Sequence, residues 1–273
     1  IEKAGSTITG VKTRFSQLDS MTAGLQKSDM IILAARPSMG KSALALNIAL
    51  NSAMVSSGAC AIFSLEMPCE QLANRMLSAK AKVDGQKIRK GQLNEAEWIK
   101  IKEAEQELKR QKIFFDDTPG IKISDMNAKC RKLKEDYGLY LIIIDYIQLI
   151  QSNTKSESRQ QEVSDISRKI KAMARELDVP IIALSQLSRS VESRNDKRPM
   201  LSDLRESGAI EQDADMVMFI YREDYYKKDE ERNEKREDVE LIVAKHRNGP
   251  IGTVKLAFEK DINAFYSISN SEE

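Results

Sequence analysis

Short, unbroken apolar runs alternate with longer stretches of helical period through residue 185; beyond it the apolar runs follow one another almost directly. The first run is residues 30–35, the second Cys60-Ala61-Ile62-Phe63-Ser64-Leu65, then a brief Ile113-Phe114-Phe115. The most apolar is Leu139-Tyr140-Leu141-Ile142-Ile143-Ile144, and Pro180 to Leu184 is another. Apolar residues at every position, not at alternate ones, predict strands buried on both faces, as in a parallel sheet. Between them lie helices: one from about Ala43, one begun by Pro68, a charged helical region at 84–112 around Trp98, Ile101 and Leu108, and one at 123–137. A long amphipathic helix then sets Val163, Ile166, Ile170, Met173, Ala174 and Leu177 on one face. Strands are expected again from Asp215 to Tyr221, Val239 to Ala244, Thr253 to Phe258 and Phe265 to Ile268, with a charged insert at 222–238. The pattern is an α/β fold: a central, mostly parallel sheet flanked by helices, with antiparallel strands at the C-terminal edge.

At the other end, Phe15, Leu18, Met21 and Leu25 recur at helical spacing and predict an entry helix. Residues 1–13, polar and with two glycines, read as a linker or arm, which leaves 14–270 as one domain. Residues 187–208 are rich in basic side chains, poor in apolar ones and without a clear period; they read as exposed loop and short helix.

Composition narrows the function classes. With 273 residues, 41% hydrophobic and 31% charged, the chain can bury a sizeable core. Lys and Arg (43) balance Asp and Glu (42), so any surface for a polyanion must be local. His246 is the single histidine, and Cys60, Cys69 and Cys130 are scattered, which argues against a zinc site and for a reducing, cytoplasmic setting. No apolar run approaches a membrane span and no signal peptide is visible. A start without Met reads as a fragment or processed product.

Candidate chemistry gathers at strand ends. Ala35-Arg36-Pro37-Ser38-Met39-Gly40-Lys41-Ser42 lies between a strand and a helix, the context of a phosphate-binding loop. Inward-turned N–H groups and a helix N-terminus would hold phosphates there, so Ser38, Met39, Gly40, Lys41, Ser42 and Ala43 are candidate nucleotide ligands. Ala35 stands where the usual pattern has its first glycine. Asp145 closes the most apolar strand and, with Ser42, is a candidate Mg²⁺ ligand. Glu66 follows the second strand and is a candidate base for the attacking water; Gln186 ends the Pro180 strand and is a candidate γ-phosphate sensor. Taken singly, Asp145 could cap the next turn and Glu66 could face the dipole of the helix that Pro68 begins. Arg189, Arg194, Lys197, Arg198 and Arg205 suit sequence-independent contact with a nucleic-acid backbone, and fit a solvated charged loop equally well. With no aromatic residue interleaved, they suggest phosphate tracking rather than base stacking. In Lys245-His246-Arg247-Asn248-Gly249-Pro250, the rigid turn would hold Arg247 outward as an arginine finger for a neighbour's nucleotide, and His246 reads as a turn residue.

In this order, ARPSMGKS, SLEM, LIIIDYIQLI, SQLSRSVE, DLRESGAIEQDAD and AKHRNGP resemble the DnaB-type replicative DNA helicases in their C-terminal, RecA-like motor domain, from about Phe15 to Phe265. Ala35 is the form that family uses. The resemblance implies a RecA-like P-loop NTPase, an ATP-dependent DNA helicase assembled as a homohexamer with ATP and Mg²⁺ at each interface. Such a ring translocates 5′→3′ on single-stranded DNA at the replication fork, in the cytoplasm. Primase, a helicase loader and other replisome components are implied partners. The family's N-terminal helical collar has no counterpart in these residues, so 1–13 would lie near the inter-domain linker. By resemblance, Lys41 and Ser42 bind phosphates and Mg²⁺ and Arg75 lies near the nucleotide. Glu66 is the catalytic base, Asp145 the Walker B carboxylate, Gln186 the γ-phosphate sensor, and Lys245 and Arg247 act in trans. Arg205, Glu206 and Gly208 fall in the loop that follows DNA inside the ring, and Arg189 lies before it. A recombinase-like ATPase, using ATP to switch DNA affinity, is the alternative; SLEM and KHRNGP favour the helicases.

Overall fold

Alternate residues of the first strand belong to two different cores. In β1 (Met30–Ala35), Ile31, Leu33 and Ala35 pack into one cluster, and Met30, Ile32 and Ala34 into the other. The period-two pleat sends neighbouring side chains to opposite faces. A strand lying between two layers must therefore be apolar throughout. The same division holds in β4 (Leu139–Asp145), β5 (Ile181–Gln186) and β6 (Met216–Tyr221). The computed structural model describes residues 8–151, 158–226 and 235–268, and of residues 205–208 the backbone only.

Nine strands form one sheet in the order β3-β2-β4-β5-β1-β6-β7-β8-β9. Here β2 is Ala59–Ser64, β3 Ile113–Asp116, β7 Arg236–His246, β8 Gly252–Glu259 and β9 Ala264–Ser267. Pairing is parallel from β3 through β6 and antiparallel from β6 to β9, as the strand and helix order implied. The helices α1 (Ser16–Thr22), α2 (Lys41–Ala53) and α3 (Cys69–Ala81) meet the first cluster; α6 (Ile123–Tyr137) and α7 (Arg159–Leu177) meet the second. The predicted face of α7 is the buried one. Among the described residues no helix is long and apolar enough to cross a membrane.

Three expectations need correction. The helical region at 84–112 is two helices, α4 (Gly85–Lys90) and α5 (Glu95–Lys109). Gly91 ends the first with φ of 67°, and an Asn94–Glu97 capping box starts the second. Trp98 is 48% exposed, whereas Ile101 packs as expected, with Ala104, against Ala81 and Val83, and Leu108 packs against the first cluster.

Residues 8–13, read as arm, are tied to the domain. Val11 bridges Leu25, Thr9 and Gly10 donate to the Ala23 carbonyl, and Thr13 is fully buried. The Asp19 carboxylate, 4% exposed, accepts from the Thr13 N–H (2.9 Å), the Thr13 hydroxyl (2.8 Å) and the Arg14 N–H (2.8 Å). That polar knot carries no hydrophobic signal.

The stretch 187–208 is held down rather than loose. It forms 3-10 turns at Arg189–Ser193 and Leu201–Ser207 and leads into α8 (Gly208–Asp213), with Val191, Asp203 and Leu204 buried. Two of its cations are already paired: Arg194 with Asp203 and Arg198 with Glu240. Aromatic rings do approach it, from elsewhere in the chain: Tyr226 lies 4.5 Å from Lys197 and Tyr221 4.9 Å from Arg198.

Replacing Asp19 by Ala leaves buried N–H groups without an acceptor, and a loss on the order of 2 kcal/mol is expected. Urea unfolding should show a lower midpoint at unchanged slope; an unchanged midpoint would mean that residues 8–13 are held by other contacts.

Candidate active site

The C-terminal edge of the parallel strands is where the side chains converge. Ala35 is level with Gln186, and Ser64 with Asp145. After Ala35 the chain turns through Ser38 (φ 64°) and Gly40 (φ 96°) into α2, whose first residues are Lys41 and Ser42. Gly40 is needed twice over: its φ is left-handed, and a Cβ there would stand 3.0 Å from the Phe265 ring. That ring stacks on Phe258 at 4.3 Å, and Arg222 covers Phe258 at 5.0 Å while donating to the Ser38 carbonyl at 3.0 Å. The antiparallel strands are thus the wall behind the loop. Asn47 fixes α2 to β9, donating to the Asn263 carbonyl (2.8 Å) and accepting from the Phe265 N–H (3.0 Å).

Inside this frame Ser42 Oγ donates to Asp145 Oδ2 at 2.5 Å, and Lys41 Nζ lies 3.5 Å from Asp145 Oδ1. Both charged groups are largely withdrawn from water, with side-chain exposures of 12% and 5%. Burial pushes the Lys41 ammonium below its ordinary value, opposed by Asp145 and Glu66. The Tyr146 ring covers Lys41 at 4.5 Å from its centre. Burial also lowers Arg75, again opposed by Asp145 and Glu66, so Arg75 faces the same carboxylates from α3. Glu66 is exposed, in a turn shaped by Ser64, whose hydroxyl donates to the Met67 carbonyl at 2.6 Å and accepts from the Met67 N–H at 3.3 Å. Gln186 is exposed on the same edge.

Asp145 Oδ1 is buried, and only the Lys41 ammonium faces it, at 3.5 Å, beyond the length of an ordinary hydrogen bond. A buried carboxylate oxygen with no closer donor keeps lone pairs available for a metal cation. Next to the Ser42 hydroxyl it provides hard oxygen ligands suited to Mg²⁺, with the Lys41 ammonium placed for a phosphate. The residues therefore fit a magnesium-bound nucleoside triphosphate. No group of three or more His, Cys, Asp or Glu among the described residues could hold a metal otherwise.

Lys245 and Arg247 lie elsewhere. His246 pairs with Met216, which pairs with Ile31, so this turn sits at the opposite edge of the sheet. At about 3.3 Å per residue it is roughly 13 Å or more from the loop after Ala35. There Lys245 Nζ donates to the carbonyls of Glu211 (2.6 Å) and Ala214 (2.7 Å), and Arg247 to those of Gln212 and, through its N–H, Asp215. Burial, helped by Arg247, lowers Lys245 against the pull of Asp215, Glu211 and Asp213. His246 Nδ1 contacts the Pro250 carbonyl, as a turn residue would. Arg189 is exposed with no hydrogen-bond or ion-pair partner among the described residues. The backbone puts Arg205 and Glu206 in the second 3-10 turn and Gly208 at the start of α8; their side chains lie outside the described residues.

The model of the DnaB-like helicase C terminal domain matches residues 10–267. The chain belongs to this family. Among its relatives, the replicative DNA helicase DnaB of Geobacillus stearothermophilus is 57% identical over 262 residues, 96% of this chain and 57% of that protein. The replicative DNA helicase DnaC of Bacillus subtilis (strain 168) is 56% identical over the same share of each chain. The chain thus spans a little over half the length of these relatives. Two solved structures superpose with a TM-score of 0.92. One is the ATPase domain of G40P, 44% identical, covering 98% of this chain and 94% of that one. The other is a DnaB-like replicative helicase described with its primase interactions, 43% identical, covering 98% and 64%. The mostly parallel nine-stranded sheet is the fold of these DnaB-like ATPase domains.

Several contributors in this DnaB-like domain escape a reading of the sequence. Tyr146, Arg222, Asn47 and Ser64 shape the site through contacts made across the sheet, and none carries a spacing that marks it. Replacing Asp145 by Asn keeps an acceptor for Ser42 and removes the charge. Nucleotide affinity measured with a fluorescent analogue should then lose its Mg²⁺-dependent part, roughly 10–100-fold, and keep the weaker Mg²⁺-free part; undiminished Mg²⁺ dependence would place the metal elsewhere.

Proposed function

We propose that this domain is the ATP-driven motor of a replicative DNA helicase, working in a homohexameric ring that moves 5′→3′ along single-stranded DNA and unwinds duplex at the fork. The observation that carries the reading is the cluster of Lys41, Ser42 and the buried Asp145 carboxylate, on a sheet edge shared with Gln186 and with Glu66 just past the end of β2. When bound, ATP with Mg²⁺ supplies the phosphoanhydride to be cleaved and the cation that offsets its charge. Lys41 and the N–H groups of the loop hold the phosphates, and Ser42 and Asp145 hold the metal. Glu66 orients the attacking water and takes its proton. Gln186 donates its amide to the terminal phosphate before cleavage and loses that partner afterwards. Arg75 adds positive charge from the α3 side.

The position of Lys245 and Arg247 supports a ring. From the far edge they are out of reach of their own nucleotide, yet a head-to-tail neighbour would bring that edge to the next subunit's loop. There they complete the charge stabilisation of cleavage. Arg189, Arg205, Glu206 and Gly208 follow the strand that bears Gln186 and are the proposed contacts to the DNA backbone, by charge and N–H groups without reading bases. For the whole protein the proposed partners are primase and a helicase loader, because a relative of the same fold is known with primase interactions.

Lys41→Ala should abolish ATP turnover in a phosphate-release assay, by roughly 10³-fold or more given the size of effects for groups on developing charge; wild-type turnover would remove the nucleotide assignment. Arg247→Ala and Glu66→Ala should each be inactive while still binding nucleotide. Mixing the two should restore turnover, since a mixed interface contains one intact Glu66 and one intact Arg247. No recovery on mixing would count against a shared site.

A further inference from the structure

Arg36 lies in the phosphate-binding loop but does not face the phosphates. It is 7% exposed, and its Nη1 donates to the carbonyl of Leu187 at 2.8 Å while Nε donates to Glu192 Oε1 at 2.9 Å. Leu187 directly follows Gln186, and its own N–H donates to the Ala35 carbonyl at 3.1 Å. The loop is thus bonded to the root of the 187–208 segment at three points: two through one guanidinium and one through backbone.

From Glu192 the bonding continues without a gap. Glu192 sits in the first 3-10 turn, whose C-cap is Arg194. Arg194 forks onto Asp203, Nη1 to Oδ1 at 3.0 Å and Nη2 to Oδ2 at 2.8 Å. Asp203, 5% exposed, also accepts from the Met200 N–H at 2.8 Å, and its carbonyl accepts from the Ser188 N–H at 3.3 Å. It belongs to the second 3-10 turn, two residues before Arg205. A forked guanidinium–carboxylate pair fixes angle as well as distance, so the Arg194–Asp203 joint is rigid, while Arg36 is held by one bond to Glu192 and one to the Leu187 carbonyl.

We propose that Arg36, Glu192, Arg194 and Asp203 form a mechanical link that carries the state of the phosphate-binding loop to the DNA-contacting turn at 201–207. These are positioning residues: none touches substrate. The link rests on the motor reading above and gives it a second route beside Gln186. Gln186 would sense the terminal phosphate, whereas Arg36 reports the position of the loop that holds all of them. Because coupling between two sites is reciprocal, DNA on the turn must also tighten the loop around nucleotide.

The test uses the intact protein carrying this domain. Glu192 has a side chain 43% exposed, so Glu192→Ala should fold normally. DNA-free ATP hydrolysis should stay at the wild-type rate, while stimulation by single-stranded oligonucleotide should fall about fivefold, within the 0.5–2 kcal/mol span of coupling mutations. The tightening of DNA affinity by a non-hydrolysable ATP analogue should weaken in parallel. Arg194→Lys, which keeps the charge and loses the fork, should show the same defect. The double variant should be no worse than the more affected single one, as two breaks in one chain require. Full stimulation in Glu192→Ala overturns the link, as does a DNA-free rate that falls in step with the stimulated one, which would mean a damaged loop. Additive losses in the double variant would assign the two residues to separate roles and overturn it too. A wild-type protein whose hydrolysis ignores single-stranded DNA would instead remove the motor reading, and the link with it.

Discussion

Lys41 and Asp145 face each other 3.5 Å apart with almost no water between them. Removing two such charges from solvent costs several kcal/mol per ion, and the attraction between them recovers that only when every remaining polar atom is satisfied. Here the two oxygens of Asp145 are unequally served: Oδ2 accepts from Ser42 at 2.5 Å, and Oδ1 has only the Lys41 ammonium, at 3.5 Å. The pair thus sets an electrostatic demand at the centre of the domain, of the kind that a phosphate with its metal would meet. Everything around the pair serves to keep it from relaxing. The strand holds Asp145, α2 holds Lys41 and Ser42, and Asn47 prevents α2 from drifting off β9. A core that minimised its own energy would have closed this gap with apolar side chains; its retention is the trade of stability for function expected at working sites.

The antiparallel strands β7, β8 and β9 follow from the same constraint. A phosphate-binding loop with two left-handed residues needs a rigid backing, and the stacked Phe258 and Phe265 under Gly40, with Arg222 on the Ser38 carbonyl, give it one. These strands are thus half of the site's scaffold. Their reversal of direction also returns the chain to the far edge of the sheet, where Lys245 and Arg247 cap the carbonyls at the end of α8. Cations suit the negative end of a helix, so the pair has a settled resting place within its own subunit.

Much of the fold is legible in the chain because burial on both faces forces continuous apolar runs, and four of the central strands show them. The site is legible for a related reason. Asp145 and Gln186 end their strands on the edge where Ala35 leads into the loop, and Glu66 lies two residues past Ser64, which is level with Asp145. What stays hidden is whatever depends on contacts between distant segments. Strand order is one such feature, since nothing in β1 says that β5 and β6 flank it. The docking of residues 8–13 is another, because its core is the Asp19 carboxylate and not a hydrophobic residue. The aromatic partners of Lys197 and Arg198 come from Tyr226 and Tyr221, some twenty or more residues on, so a local scan for interleaved rings finds none. Trp98 misleads in the opposite direction: a large apolar residue invites a core position, but the capping box at Asn94 fixes the phase of α5 and turns it to solvent.

Arg36 shows why a motif is not a full account of its residues. Its neighbours Gly40, Lys41 and Ser42 satisfy the needs of a phosphate, and a charged residue four positions earlier would be counted with them. A guanidinium could neutralise phosphate from there, and charge by itself does not say which way it points. The geometry does: its donors go to the Leu187 carbonyl and the Glu192 carboxylate, both in the segment after β5. That charge is answered twice, by Glu192 and by the Leu187 carbonyl, and the pairing ties two loops that would otherwise move independently. A bond between the loop after β1 and the root of the segment after β5 contributes little to holding the fold, since β1 and β5 are already paired along their length. Its consequence is kinematic, because it removes the freedom of either loop to change shape without the other.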